Sequence, residues 1–427
     1  MRAPSRWGRG RLLGVATLTL MASVAVPRGQ ASADPRSGAH ARDLTLSNAR
    51  ALARQRAPQL LAARASVGLA RAEVVRASRW APKNPQLLVA GGPRVGDDTT
   101  PNITVRLMQR LEVTGQRGAR VEAAEAGVRA AQASVANRER LLLGRLSELF
   151  LRTLHSQKAL TLAKDEVRLA KELLRIAKAR QEAGEVSVLD VNVAAVTLAR
   201  QESRGLRLEA THRRLLARLR ATLGMGNRTA LRLKGDLGAS RTFALTELLA
   251  AARKRPDLRA LAARSAQSHA DERRGKRQRW PGLGLFARYG REEQANIFMG
   301  GLTFSLPLFV RGQHLRARSG ARQRLLSRQK AALWRDIEAR LRGELAAYGA
   351  LRRARKAFES RATARLKESL GLAQKSYQAG STTLSALLVL RRELLGSRRA
   401  FLALQLEVAL AQSRLEALLS RGPRRLQ

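Results

Sequence analysis

The sequence predicts a mainly α chain with a small β part, built from two copies of one unit, and three observations carry this. Lys171 to Gly184 and Lys367 to Gly380 coincide at six positions without a gap, 196 residues apart. In both copies a heptad-like helix reaches a Gly suited to the left-handed position beyond a helix end, and a hydroxyl residue able to cap a return helix follows within three residues. Between such helices the hydrophobic period drops from three or four residues to two, once in each copy, which predicts a strand hairpin inserted at equivalent points.

In chain order, Ser47 is expected to cap a first helix that runs to about Arg79 and is interrupted at Ala57-Pro58. Its counterpart runs from Thr246 to Arg279, interrupted at Arg255-Pro256, because a Pro inside a helical pattern forces a break or kink. Ile103, Val105, Leu107, Leu111 and Val113 alternate with Thr104, Arg106, Arg110 and Glu112, the pattern of a strand with unlike faces. A shorter strand, Gln86 to Ala90, precedes it across a loop rich in Gly, Pro and Asp. In the second copy Leu283, Leu285 and Ala287 alternate toward Tyr289, and a partner strand runs from Ile297 to about Leu306. Six of the chain's fifteen aromatic residues (Trp280, Phe286, Tyr289, Phe298, Phe304 and Phe309) fall in this stretch, as aromatic girdles at lipid headgroups would require.

Each hairpin exits through a similar turn, Val113-Thr114-Gly115-Gln116 or Val310-Arg311-Gly312-Gln313, into a very long helix. The first is expected to run from Gln116 to about Ala183, roughly 100 Å at 1.5 Å per residue. Val121, Ala124, Val128, Ala131 and Val135, then Leu160, Ala163, Val167, Ala170, Leu174 and Ala177, step by threes and fours as in a coiled-coil seam. Ser187 is expected to cap the return helix, with Asp190 as its acidic third residue. The second return helix begins near Thr382 or Thr383, and in it Leu415 and Leu419 match Leu219 and Leu223. The organisation predicted is a signal peptide over 1–33, a first repeat over 34–231 and a second over 232–420. The first repeat holds a β-hairpin at 85–113, a long helix at 116–183 and a return helix at 187–224; the second holds them at 281–309, 313–379 and 383–420, before a basic tail at 421–427.

The signal reading rests on Arg2, Arg6, Arg9 and Arg11, the apolar run Leu12 to Val26 and the small-residue exit Ala31-Ser32-Ala33. Removing it takes five Arg and no acid from a net charge of +48, leaving +43. Such a charge would suit nucleic acid, but the basic residues are scattered over every helix of a chain that is marked for export, so no nucleic-acid partner is expected. No later stretch offers the 18 apolar residues of a membrane helix. A membrane crossing would therefore use strands, in a closed barrel. The sequence contains no Cys, hence neither a thiolate metal site nor a lipid-anchor Cys. His40, His155, His212, His269 and His314 lack the spacing that aims two imidazoles at one metal, and no phosphate loop, Ser-centred elbow or zinc-protease motif appears. No catalytic, cofactor or metal residue is assigned; the chain is not expected to be an enzyme.

Four strands cannot close a membrane barrel, since about eight is the smallest number known. Several chains must contribute, and paired helices packed around the same axis would continue the barrel as a tube. Arg255-Pro256-Asp257-Leu258, Trp280-Pro281-Gly282-Leu283, Leu306-Pro307-Leu308-Phe309, and Tyr377-Gln378-Ala379-Gly380 with its partner Glu182-Ala183-Gly184, in this duplicated order, resemble the TolC-like outer-membrane efflux factors. The resemblance spans Leu44 to Ser420. It implies a homotrimer in which duplicated coiled-coil hairpins form a periplasmic α-barrel and four strands per chain build a trimeric 12-stranded transmembrane β-barrel in the outer membrane of a Gram-negative cell. The implied partners are outer-membrane lipid, a periplasmic adaptor and an inner-membrane pump of the RND type. Gly184, Ser187, Gly380 and Thr383 would lie at the periplasmic tips that meet the adaptor, and Asp190 and Tyr377 at the aperture.

Asn84-Pro85-Gln86-Leu87 and Leu111 to Arg117 are further similar to the cobalt-zinc-cadmium resistance branch, which implies heavy-metal cargo. Drug export and type I protein secretion use conduits of the same kind. The reading from a different class, a secreted coiled-coil scaffold, explains the heptads but not the two hairpins. Many family members carry acids at both tips, whereas here Ala386 is the counterpart of Asp190. With a mature charge of +43, the open tube is expected to prefer anions unless three Asp190 carboxylates govern the constriction.

Overall fold

The computed structural model describes residues 42–419 apart from 82, 96–99, 228, 293–294, 361–367, 370–371, 373–374, 377–380 and 382. The expected signal peptide, the basic tail, Tyr377 and Gly380 lie outside the described residues. The first repeat runs β1 (Arg42–Leu44), α1 (Leu46–Arg56), α2 (Pro58–Ser78), β2 (Gln86–Arg94), β3 (Thr100–Leu111), α3 (Gln116–Glu182) and α4 (Val188–Leu223). After β4 (Leu231–Leu233) the second repeat follows with α5 (Leu245–Ala252), α6 (Pro256–Arg277), β5 (Gly282–Glu292), β6 (Ala295–Ser305), α7 (Gln313–Phe358) and α8 (Leu384–Ala417).

The two helix breaks fall where the prolines stand. Pro58 and Pro256 open α2 and α6, in the first helical turn where a missing N–H costs nothing. The first caps differ from expectation. Thr45, not Ser47, caps α1, accepting from the Asn48 amide while the Ser47 hydroxyl bonds to the Thr45 Oγ1 at 2.9 Å. Thr246 lies within α5, which starts after Ala244 with no side-chain cap. Both hairpins are longer than the alternation alone suggested, because Gly91, Gly92, Gly290, Gly300 and Gly301 carry no side chain to mark a period yet remain hydrogen-bonded in register.

At the boundary of the two repeats stands β4, a strand the sequence did not predict, which pairs in parallel with β1. Leu44, Leu231 and Leu233 of this strand pair, and Leu237 just beyond it, are buried with Leu146, Phe150 and Leu154 of α3 and Leu219 and Leu223 of α4. Gln157 of α3 satisfies the outer edge of β4 by donating to the Leu233 carbonyl and accepting from its amide, both at 3.1 Å. Three-residue strands are too short to show a period, which is why the sequence concealed them. A second core joins α5 to α8 around Ile337, Leu341, Tyr348 and Leu415. Tyr348 Oη donates to the Arg241 carbonyl at 2.6 Å and accepts from the Arg241 amide at 3.0 Å, fixing the linker to α7.

In the second half of α3 Ala163, Ala170 and Ala177 of the predicted seam are buried, whereas in the first half the buried line is displaced from the predicted one. Ala123, Ala126 and Ala130 are buried in its first half, whereas Val121, Ala124, Val128, Ala131 and Val135 are half-buried on the adjoining line. Within the chain α3 packs against both α2 and α6, so two adjoining apolar lines are covered.

Candidate functional site

The four long strands form one sheet in the order β2-β3-β5-β6, so that each hairpin stays intact and β3 joins β5 across the repeat boundary. Its two faces are unlike. Leu87, Val89, Ile103, Val105, Leu107, Leu285, Tyr289, Phe298, Leu302 and Phe304 share one face by register, and most are exposed. Gln86, Thr104, Arg106, Arg110, Arg288, Thr303 and Ser305 share the other, together with the apolar Leu88, Met108, Phe286, Ile297 and Met299. Eleven residues in β5, at about 3.3 Å each and tilted about 45°, would span roughly 25 Å, the height of the apolar band of a membrane barrel. Tyr289 and Phe298, in ring contact at 5.1 Å, lie near the loop end of the apolar face, whereas Trp80, Trp280 and Phe309 are exposed near the helix end. Two levels of aromatic side chains thus bracket the apolar strip. The outer edges of β2 and β6 have no strand partner among the described residues.

Where the sheet joins the helices, Gly115 and Gly312 hold φ of 75° and 72° immediately before α3 and α7. Arg120 anchors the first junction: it donates to the Ala77 carbonyl at 3.0 Å and pairs with Glu112. At the waist, Arg140, Arg255 and Asp257 interlock, and the two guanidinium groups donate to the Ala417 and Leu418 carbonyls at the end of α8. Further along, Glu166 of α3 is buried between Arg204 of α4 at 3.4 Å and Arg399 of α8 at 4.0 Å. Burial pushes its carboxyl above the ordinary value against the attraction of Arg204.

The turn between α3 and α4 is built on Gly184 and Ser187. Gly184 adopts φ of 74°, and the Glu185 amide donates to the Arg180 carbonyl at 2.8 Å and the Gly184 amide to the Gln181 carbonyl at 3.0 Å. This six-to-one pairing ends α3 and turns the chain by left-handed geometry that Gly adopts without a Cβ penalty. Ser187 then accepts from the Asp190 amide while the Asp190 carboxylate accepts from the Ser187 amide, both at 3.3 Å, in a capping box. Val188 and Leu189 stand 61% and 71% exposed in the first turn of α4, an apolar surface beside the turn.

Ser187→Ala is expected to cost about 0.5–2 kcal/mol locally, the range for loss of a helix cap. Faster amide exchange confined to residues 188–191, with an unchanged melting temperature, is the result to look for; a global loss would contradict a purely local cap. At the start of α8 Thr383 is the cap, its hydroxyl accepting from the Ala386 amide at 3.3 Å, with no acid to complete a box. Among the described residues no group of His, Cys, Asp and Glu is arranged to hold a metal, and no helix is long and apolar enough to cross a membrane.

The outer membrane efflux protein family profile matches residues 49–225 and 248–421, one match per repeat. The nickel-cobalt-cadmium resistance protein NccC of Alcaligenes xylosoxydans xylosoxydans is 28% identical over 270 residues, covering 60% of this chain and 60% of that protein. Among solved structures, CusC superposes with a TM-score of 0.72 at 17% identity, over 88% of this chain and 92% of that one. The outer membrane protein VceC of Vibrio cholerae gives a TM-score of 0.70 at 19% identity, over 87% and 95% of the two chains. At such identities the structural likeness establishes the fold.

Proposed function

Because the chain belongs to the outer membrane efflux protein family, we propose that three copies form the outer-membrane conduit of a tripartite efflux system. The observation that carries this is the four-stranded sheet with one largely apolar face and two edges that have no strand partner among the described residues. In hydrocarbon an open strand edge leaves N–H and C=O groups without partners, each at a cost of several kcal/mol. Joining β6 of one copy to β2 of the next removes every edge and yields twelve strands for a trimer. The conduit is passive: substrates enter from an inner-membrane pump through a periplasmic adaptor that meets the tips at Gly184, Ser187, Gly380 and Thr383. Asp190 and Tyr377 narrow the aperture there.

The detergent-solubilised protein is expected to have the mass of three copies and to form conducting pores in a planar bilayer. A soluble helical monomer would falsify the channel reading. Heavy-metal cations are the proposed cargo, from the likeness to NccC. A deletion strain is then expected to lose tolerance to nickel, cobalt or cadmium; lost drug tolerance with unchanged metal tolerance would overturn that cargo.

A further inference from the structure

The face of the sheet opposite the apolar strip carries a charge arrangement that packing within one chain does not explain. The β3–β5 register places Arg106 directly across from Arg288. Opposed side chains on one face begin about 4.5–5.5 Å apart at Cβ, and like charges so placed destabilise a sheet. Compensation is slight. Arg288 donates to Glu292 Oε1 at 3.3 Å and to Thr104 Oγ1 at 3.4 Å, while Arg106 lies 6.0 Å from the centre of the Phe286 ring. The Nε atoms of both arginines are buried and have no hydrogen-bond partner within the protein. Glu292 is the only acidic residue among the described residues of the four strands, and Arg110 adds a further positive charge two positions along on the same face.

The surroundings are shaped for this pair. A Cβ on Gly301 would lie 2.7 Å from the Phe286 ring, so the glycine leaves room for the aromatic surface beside Arg106. Gly290 likewise stands next to the Arg288 guanidinium, with 3.7 Å to the position of its absent Cβ. Anchoring to lipid headgroups would place arginines on the apolar face near a strand end, whereas these two stand in mid-strand on the other face. A planar guanidinium with free N–H donors matches the oxygens of phosphate, sulfate or carboxylate.

We propose that Arg106 and Arg288 form an anion-binding girdle inside the barrel, a ring of three such pairs that holds oxyanions and makes the open pore favour small anions in passive diffusion, a property separate from the pump-driven passage of cargo. The proposal rests on the trimeric barrel reading, which turns this face toward the lumen. Inside a narrow passage with low-dielectric walls the field of such a ring is focused on the permeating ion, unlike that of charges scattered over the outer wall.

Reversal potentials in a potassium chloride gradient across a planar bilayer test it, with inorganic phosphate as the ligand probe. The wild-type pore is expected to favour chloride over potassium, and millimolar phosphate to lower its chloride conductance. Arg106→Gln with Arg288→Gln is expected to reduce the permeability ratio severalfold and abolish the phosphate effect. Removing two opposed like charges does not threaten the fold. Arg291→Gln, on the apolar face, is expected to change neither. Anion preference that survives the double change, a pore indifferent to phosphate, or an equal effect of Arg291→Gln would overturn the girdle while leaving the barrel intact. Absence of any conductance would instead remove the barrel and the girdle with it.

Discussion

Gly312→Ala is expected to prevent normal assembly or to lower stability by about 2–5 kcal/mol, whereas Gly115→Ala at the equivalent turn is expected to cost about 1–2 kcal/mol. Both glycines have nearly the same left-handed φ, so the conformational penalty of a Cβ is shared. Space separates them. At Gly115 the nearest atoms to an added Cβ belong to the Arg277 guanidinium at 3.7 Å, which can move aside. At Gly312 the Cβ would overlap the carbonyl oxygen of Gly275 in α6, with the Gln278 Cβ at 3.0 Å on the same side. Gly275 is confined in turn, since its own Cβ would meet Leu315 Cβ at 3.1 Å and the Gly312 carbonyl oxygen at 3.2 Å. Backbone therefore lies against backbone where the sheet passes into α7, and relief requires α6 and α7 to separate. Melting temperatures in detergent and the yield of folded protein in membranes measure the contrast. Equal losses for the two variants would show that turn strain, not helix contact, sets the cost.

This pair also marks how far the sequence could be read. The two turns Val113 to Gln116 and Val310 to Gln313 were recognisable as equivalent because a positive φ selects Gly locally. Which of them is tight depends on Gly275, some forty residues earlier in the chain and without a local signal of its own. The same division holds elsewhere. Ser187 and Asp190 were legible because a capping box is contained in four residues, and the strand hairpins because a two-residue period is local. The β1–β4 pair was not, having three residues per strand and 186 residues between the first of its strands and the last part of its partner's approach at Leu231. The Arg106 and Arg288 juxtaposition was hidden for a related reason: alternation assigns each residue a face, but only the inter-strand register says which residues stand opposite.

Asp257→Asn is expected to destabilise the protein by about 3–5 kcal/mol, the cost of removing one partner from a buried ionic network. Asp257 accepts from Arg255 through both oxygens, at 3.1 and 2.6 Å, from Arg140 at 3.3 Å and from its neighbouring Leu258 amide at 3.0 Å. Side-chain exposure is 13% for Asp257, 12% for Arg140 and 6% for Arg255, so solvent screens this cluster weakly. Without the carboxylate two guanidinium groups would face each other unneutralised while still tied to the Ala417 and Leu418 carbonyls, and the end of α8 would be released from α3 and α6. Burial raises the Asp257 carboxyl, but the hydrogen bonds and charge of Arg255, the charge of Arg140 and the Leu258 amide together hold it below its ordinary value of 3.8. A depressed folded value means that the stabilisation is fully present above the ordinary carboxylate range and is lost as pH falls through the folded value. The difference in melting temperature between wild type and Asp257→Asn should therefore be wide at pH 7 and begin to narrow only as pH falls below about 3.8, closing as it passes the lower folded value. Glu166 is displaced in the opposite direction, but it is common to both proteins and cancels in the difference. A difference that stayed constant into acid would mean that the amide's shape, and not the missing charge, accounts for the loss.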